Sequence, residues 1–516
     1  MILYVVVGLI AFGNLSTHHF ELDDLAYLED LNQIRQAPST IFSPERRLPG
    51  RPATDLVLLF IQTIYKNNPA AFHIGLVFCH LIATILLTFT LYKTGLNQEL
   101  SLISGFFFFI NLAHFRAIQW ISCTAYPLAL IFGCIGILAY IAYRETSRGA
   151  LYSLSIFGFT FAILSHPAAV AFPIFLIYLA WQNKQPLNPV VALGGIAFIV
   201  LIGLLRFFPD VPQTEHATAV FQWHILDFLQ HGLWYLGRLW VSTFTIFPDM
   251  STTHTFDQIF GILAAIGIIL LFIYRVFPIA HWGIWMILCL AVFITNPYQT
   301  HFESGPSRHL YFASVGSSVL LAWQCQKLSL ILPSRSSWLP KISLAFLITT
   351  VSVLCLIGIK KSETFAYILS ARTYLVINQQ DKASQLFERA VAQAPKLVSA
   401  SMYEKNLIIN LGRGQFLNHS MQQAIAHYPN NPSIIALQML YKFQEKDLSE
   451  HNITDRIVVH AQQYSKQTQE LIAISCFNLG SFYATKSQYK RAQKLLQSAL
   501  KLKPRFPEAV KLLGQV

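Results

Sequence analysis

Long apolar blocks, separated by short polar segments, fill the first 360 residues of the chain. Two clear examples read AAFHIGLVFCHLIATILLTFTLY and FGILAAIGIILLFIY. A helix needs about 20 mainly apolar residues to cross the ~30 Å hydrocarbon core of a bilayer. The pattern therefore predicts a polytopic, all-α membrane domain with about eleven spans. These lie near residues 1–15, 69–92, 98–112, 125–143, 150–164, 168–182, 190–208, 257–275, 281–295, 310–327 and 342–360.

The polar segments between the blocks predict which side of the membrane each loop faces. Lys and Arg favour alternate loops, as the positive-inside rule expects if residue 1 is cytoplasmic. No Lys or Arg precedes the first block, which favours a retained helix over a cleaved signal peptide. The block 233–247 carries Arg238 at its centre and is predicted to lie in the interface without crossing. The first loop, 16–68, and everything after 360 are then predicted to lie outside the cytoplasm.

Beyond residue 360 the composition changes to that of a soluble helical domain, in which a repeat is visible. Ala390 and Pro395 recur 34 residues later as Ala424 and Pro429, which is the period of a tetratricopeptide (TPR) repeat. Small residues let two helices pack closely, and Pro ends the second helix. We therefore predict two domains, a membrane domain at 1–360 and a TPR α-solenoid at 361–516. The last repeat has the expected residues at Leu479, Gly480, Tyr483, Tyr489, Ala492, Ala499 and Pro504.

The composition supports a membrane protein and excludes several other classes. Of the 516 residues, 54% are hydrophobic and only 12% are charged, whereas about 25% of a typical soluble protein is charged. The net charge of +12 is scattered between apolar segments, which suits lipid headgroups and predicts no nucleic-acid partner. The seven Cys residues form no CxxC pair, so neither a zinc site nor a disulfide framework is predicted.

Ionisable residues of the predicted outer loops are the candidate functional groups. An acidic pair directly follows the first span, and a carboxylate can deprotonate a hydroxyl that then attacks the anomeric carbon of a sugar. Arginine's planar fork matches phosphate oxygens and stays charged when partly dehydrated. With phosphate as the leaving group no separate general acid is required, unlike in glycosidases. The predicted catalytic residues are Asp23 and Asp24, and the predicted lipid-phosphate-binding residues are Arg51, Arg308, His309, Arg116, His114 and His166, with His301 and Glu303 in the same loop as Arg308.

Several segments of the chain resemble motifs of the GT-C superfamily of polyprenyl-phosphate-sugar-dependent glycosyltransferases. The acidic pair matches the superfamily's pair in the first extracytoplasmic loop. Within the superfamily the chain resembles the transmembrane-and-TPR (TMTC-type) O-mannosyltransferases and their bacterial relatives. Arg116 stands where that family usually has Glu, His309 replaces a Tyr, and Ser307 replaces a Glu. The segments that carry the resemblance are RPATDLVLLFIQTIYKNNPAAFHIGLVFCH, HFRAIQWIS and SRHLYFASVG.

The resemblance implies an inverting hexosyl or mannosyl transferase in a GT-C-like helical bundle. Its donor would be a polyprenyl-phosphate sugar, its acceptor a protein or polymer hydroxyl held by the TPR domain, and no cofactor would be required. The implied location is the bacterial inner membrane, with the catalytic loop and the repeats on the periplasmic side.

Some alternatives remain open at the level of the sequence. Adjacent residues of a helix point about 100° apart, so one of Asp23 and Asp24 faces the substrate, and the family pattern favours Asp23 as the base. The pair could instead cap the helix. His18 and His19 are adjacent, without the spacing that places two metal ligands on one helix face, so no metal site is predicted. Alternative functions are a non-catalytic TPR scaffold for envelope assembly, a lipid-sugar transporter and a metal-dependent oligosaccharyltransferase.

Overall fold

Every element assigned in the described part of the chain is a helix, which confirms the predicted all-α class. The chain divides into two compact units, Met1–Ala366 and Tyr367–Val516. The change in composition along the sequence predicts this boundary after residue 360. The computed structural model describes residues 2–46, 50–207, 225–244, 254–294, 307–331, 339–411, 418–445 and 453–516.

The first unit is built from helices with one large apolar core of aliphatic and aromatic side chains. Within the described residues its helices are α1 (Ile2–Phe12), α2 (Leu22–Gln36), α3 (Pro52–Tyr65), α4 (Pro69–Lys93), α5 (Gln98–Phe109), α6 (Phe115–Gln119), α7 (Ala125–Thr146), α8 (Gly149–Ser165), α9 (Ala171–Gln182), α10 (Asn188–Phe207), α11 (Ile225–Phe244), α12 (His254–Ile273), α13 (Ile279–Ile294), α14 (Ser314–Ile331) and most of α15 (Leu339–Val376).

The described helices vary in length more than the apolar pattern suggests. Four segments are long and apolar enough to cross a membrane: Pro69–Lys93, Ile121–Thr146, Phe256–Ile273 and Leu339–Leu375. A fifth candidate combines Gln98–Phe109 and Leu112–Gln119, which are bent by 40° at their junction. Most of the remaining predicted spans are apolar helices of 10–17 residues. The chain is an integral membrane protein in composition and helix length, while the count of eleven spans stays a prediction.

The predicted first loop, 16–68, contains two helices that the apolar pattern did not indicate. These are α2 and α3, and α3 begins at Pro52, a residue that favours the first helical position. On α3, Leu56, Phe60 and Ile64 are exposed and lie on one stripe, whereas Asp55 on the other side is buried. The helix α3 has only 14 residues and is apolar on one side, so it lacks the long apolar run by which a membrane span is recognised.

The block around Arg238 packs closely against the following helix. Arg238 lies on α11, is buried, and forms an ion pair with Asp257 of α12 at 3.7 Å. The two helices pack so closely that a Cβ on Gly237 would collide with the carbonyl of Asp257. Burial of Arg238 is therefore compensated by Asp257, and the prediction that block 233–247 lies in the interface without crossing stays a prediction.

The second unit is a series of short antiparallel helices with its own apolar core. Ala390 and Ala424 are buried at helix–helix contacts, and Pro395 follows the end of a helix, as the repeat predicts. Gly480 faces Leu496 across the last helix pair, where an added Cβ would lie 3.2 Å from the Leu side chain. The described helices after α15 are α16 (Gln380–Gln393), α17 (Ala400–Leu411), α18 (Asn418–His427), α19 (Pro432–Glu445), α20 (Ile453–Gln462), α21 (Lys466–Thr485), α22 (Tyr489–Leu502) and α23 (Pro507–Leu513).

Candidate active site

The start of α2 brings three carboxyl groups together. Glu21 directly precedes the helix, and Asp23 and Asp24 lie in its first turn. Asp24 is buried, and its Oδ2 accepts a hydrogen bond from the backbone N–H of Glu21 at 2.9 Å. An acidic side chain that bonds back to the residue before the helix satisfies an otherwise unpaired backbone donor. The first turn of α2 is therefore fixed by its own sequence.

Ser122 joins the acidic pair to Arg51. Asp24 Oδ1 accepts hydrogen bonds from the Ser122 backbone N–H at 2.8 Å and from its hydroxyl at 2.6 Å. Arg51 Nη1 donates to the Ser122 carbonyl at 3.2 Å. Ser122 belongs to the short 3-10 turn Ile121–Thr124, and Arg51 precedes α3. Three segments that are distant in sequence thus meet at one residue.

Asp23 and Asp24 differ in their surroundings. Burial raises the pKa of Asp24 to about 7, the Glu21 carboxylate acts in the same direction, and the donors of Ser122 and Glu21 oppose the shift. Asp23 is partly exposed, and among the described residues it has no hydrogen bond or ion pair. Asp24 is therefore held by the fold, whereas Asp23 presents a carboxylate that can accept a proton from a bound molecule.

Glu21 is the main partner of Arg116. Arg116 Nη1 donates to Glu21 Oε1 at 2.9 Å, Arg116 Nη2 donates to Glu21 Oε2, and Gln119 donates to Oε1 at 2.7 Å. Burial raises the pKa of Glu21, and the Arg116 guanidinium opposes that shift. The bidentate pair places Arg116, predicted to bind phosphate, beside the acidic pair with both Nη atoms already engaged.

Arg308, which lies shortly before α14 in the chain, contacts the same Trp120 ring as Arg116. It begins the 3-10 turn Arg308–Leu310, in which the Ser307 hydroxyl accepts from the His309 backbone N–H at 3.2 Å. The Arg308 Cζ lies 4.4 Å from the centroid of the Trp120 ring, and the Arg116 Cζ lies 4.5 Å from the same centroid. Arg308 and Arg116 thus share one aromatic side chain.

His166 and His309 line the inner side of this cluster. Their rings flank Tyr126, whose hydroxyl lies 3.1 Å from His309 Nδ1 and whose ring centroid lies 4.3 Å from that of His166. Burial lowers the pKa of both imidazoles well below the usual value, and the cations Arg51 and Arg308 lower it further. Both rings are therefore neutral near pH 7. His166 Nδ1 accepts from the Ala168 backbone N–H at 3.2 Å, which leaves the ring proton on Nε2.

His114 does not join this cluster. It is fully buried, and its Nδ1 lies 2.6 Å from the Ser314 hydroxyl. Its ring packs against His80 and Tyr311, and His80 Nδ1 lies 2.8 Å from the Tyr311 hydroxyl. His114 therefore belongs to a buried polar network of the helix core, and we leave it out of the phosphate site.

The remaining candidates concern metal binding and one outer loop. Within the described ranges, no group of three His, Cys, Asp or Glu side chains is placed to hold a metal ion. His18 is buried, with its ring centroid 5.9 Å from that of His73. His301 and Glu303 lie outside the described residues.

Four residues that organise the site had no role in the sequence-based prediction, although Glu21 belongs to the same polar loop as Asp23 and Asp24. Glu21 could have been found, because an acid three residues before Asp24 at a helix start has the spacing of reciprocal capping. Trp120 and Ser122 lie in the segment HFRAIQWIS that carries the family resemblance, but the resemblance gave them no role, and Tyr126 gave no signal of its own. Their roles arise from contacts with residues at distant positions in the chain.

Comparison with known proteins supports the repeat and gives one structural likeness. The model of the tetratricopeptide repeat matches residues 473–506, which confirms the repeat predicted there. No match was found among curated proteins. Among solved structures, the chain is similar to the crystal structure of ArnT from Cupriavidus metallidurans in the apo state, with 12% sequence identity and a TM-score of 0.35, over 97% of this chain and 76% of that chain.

Proposed function

We propose that this protein is a membrane glycosyltransferase that moves a sugar from a polyprenyl-phosphate carrier to a hydroxyl group outside the cytoplasm. The observation that carries the proposal is the meeting of Asp24 and Arg51 at Ser122, two residues after Trp120, whose ring contacts Arg308. Asp23 presents a partly exposed carboxylate next to Asp24, which Ser122 links to Arg51. A carboxylate and a guanidinium in one site suit a reaction that removes a proton at one atom and releases a phosphate at another. The motifs similar to GT-C enzymes point to the same reaction.

In this mechanism Asp23 is the general base. Its carboxylate accepts the proton of the acceptor hydroxyl, whose oxygen forms a bond to the anomeric carbon of the sugar. The bond between that carbon and the phosphate oxygen breaks, and its electron pair leaves with the polyprenyl phosphate. Attack on the face opposite the leaving group inverts the configuration of the anomeric carbon.

Arg51 and Arg308 are the proposed phosphate-binding residues. Guanidinium–phosphate hydrogen bonds are charge-assisted and stabilise the negative charge of the departing phosphate. His309 orients Arg308, since its Nε2 lies 3.4 Å from the Arg308 Nε. The neutral His166 adds no charge to the site. Asp24 is a positioning residue, because all three of its hydrogen bonds join parts of the fold.

Binding of the carrier lipid tests this assignment. We expect purified full-length protein in zwitterionic nanodiscs to bind undecaprenyl phosphate more tightly than undecaprenol. Arg51→Met and Arg308→Met should each weaken phosphate binding by about 10- to 100-fold, because a hydrogen bond to a charged group usually contributes that much to affinity. Arg148→Met is the control, because Arg148 is exposed at the start of α8. Equal affinity for phosphate and alcohol would contradict the proposal.

A non-catalytic scaffold is the second candidate, favoured by the tetratricopeptide repeat at 473–506. Stacked repeats form extended surfaces that bind other proteins. A scaffold requires neither Asp23 nor a lipid phosphate. The two functions therefore differ in their response to Asp23→Asn, which leaves the repeat surface intact.

A further inference from the structure

Trp120 follows α6 and carries two guanidinium groups on its indole ring. The Cζ atoms of Arg116 and Arg308 lie 4.5 Å and 4.4 Å from the ring centroid. Because both Cζ atoms lie within 4.5 Å of the same centroid, the distance between them cannot exceed twice that value. Trp binds cations on its face better than other aromatic residues do, and the planar guanidinium stacks well on it. The indole therefore sets an upper limit on the spacing of two positive charges.

Glu21 makes this arrangement stable. Two cations held close together repel each other, and Glu21 offsets the charge of Arg116 by accepting from both of its Nη atoms. Gln119 donates to the same carboxylate. Arg116 is thus held by a buried carboxylate at its tip and by the Trp120 ring at its plane.

Within the described part of the chain, no hydrogen bond from the indole N–H holds the Trp120 ring. Trp120 Nε1 is buried, and among the described residues it has no hydrogen-bond acceptor. A buried indole N–H usually has one. Among the described residues, the Trp120 ring is therefore held by packing and by the two guanidiniums.

We propose that Trp120 is a positioning residue for the anion site. With Glu21 and Arg116 it holds the Arg308 guanidinium where that group meets the donor phosphate. Arg116 then belongs to the support of the site and not to the phosphate contacts. Trp120 lies two residues before Ser122, which binds Arg51 and Asp24, so one short segment sets the positions of both phosphate-binding arginines. The inference rests on the proposed function.

The test measures binding of undecaprenyl phosphate to the full-length protein in zwitterionic nanodiscs. Trp120→Leu should weaken binding about tenfold and Trp120→Phe about threefold, because Phe keeps a weaker cation–π contact. Trp181→Leu is the control, since Trp181 is 61% exposed and should leave the affinity unchanged. Melting temperatures are measured for every variant, and the Phe variant keeps the test valid should the Leu variant not fold.

A double-mutant cycle separates positioning from simple packing. If Trp120 acts through Arg308, Trp120→Leu costs nothing further in an Arg308→Gln background. A tenfold loss in both backgrounds, or an unchanged affinity of the single Trp120→Leu variant, overturns the inference while leaving the proposed function in place. Failure of the proposed function gives a different result, namely wild-type protein that binds undecaprenyl phosphate no better than undecaprenol, and it overturns this inference as well.

Discussion

At the scale of single residues, the adjacent carboxylates Asp23 and Asp24 show how neighbours in sequence acquire different roles. Asp24 accepts three hydrogen bonds from Glu21 and Ser122, whereas Asp23 is partly exposed. The difference follows from the 100° turn between successive helix residues, which directs one side chain toward the Ile121–Thr124 turn and the other away from it.

The raised pKa of Asp24 predicts a pH dependence of stability. Its pKa is about 7 in the folded protein, against a usual 3.8, so the folded state holds this proton more tightly than the unfolded chain does. The stabilisation is complete below about pH 4 and is lost as the pH rises to about 7. We therefore expect the melting temperature of wild type to fall by several degrees relative to Asp24→Asn between pH 4 and 7.

Melting curves of both proteins in detergent across pH 4 to 8 provide the measurement. Other groups, such as His166 and His309, titrate in both proteins and cancel in the difference. A constant difference between the two melting temperatures across this range would show that Asp24 keeps an ordinary pKa.

The sequence predicted the chemical types at the site better than their arrangement. The acidic pair, Arg51 and Arg308 were identified because charged residues next to apolar blocks are conspicuous. His114 was grouped with these charged residues because the sequence does not reveal that its ring lies in the helix core beside Ser314. Glu21 was passed over as a site residue because the importance of its carboxylate depends on Arg116, 95 positions later.

At the scale of elements, contacts between α2 and α3 hold the segment 16–68 in shape. The Asp55 carboxylate of α3 accepts from Arg46 at 2.7 Å and from the Tyr27 hydroxyl of α2 at 2.6 Å. Both Arg46 and Asp55 are buried. Asp55 thereby ties both α2 and the segment that contains Arg46 to the first turn of α3, which directly follows Arg51.

Loss of this buried pair should destabilise the first unit. Asp55→Asn leaves the Arg46 guanidinium without a compensating charge, which costs about 3–5 kcal/mol. The matched control is Glu145→Gln, which removes the exposed pair of Lys93 and Glu145 at 3.5 Å and should cost less than about 1 kcal/mol. Thermal unfolding of both variants in detergent tests the difference, and equal melting temperatures would contradict the structural role given to Asp55.

The sequence predicted correctly those helices that are long and apolar throughout. The apolar blocks correctly indicated α4, α7 and α12, because a membrane-length helix is uniformly apolar. The helices α2 and α3 were hidden within a predicted loop, since α2 is largely polar and α3 is short. The setting of Arg238 could not be predicted, because its partner Asp257 lies on another helix.

At the scale of the whole molecule, the chain joins a helical membrane unit to a unit of helical repeats. The first carries the proposed transfer site, and the second offers stacked helices of the kind that bind other proteins. The 34-residue period and the Gly and Pro positions sufficed to predict the repeat, because close helix packing demands small residues at fixed places. The sugar and the acceptor rest on the family resemblance, the side of the membrane rests on the distribution of Lys and Arg, and all three stay predictions.

The central claim is that the protein transfers a sugar with Asp23 as the base. Glycan analysis of the cell envelope, in a strain that lacks the gene and is complemented with wild type or Asp23→Asn, tests it most directly. Replacing the base with an amide should lower transfer by at least about 100-fold, so the missing glycan returns with wild type and stays absent with the Asn variant at equal protein level. Full restoration of the glycan by Asp23→Asn would contradict the account.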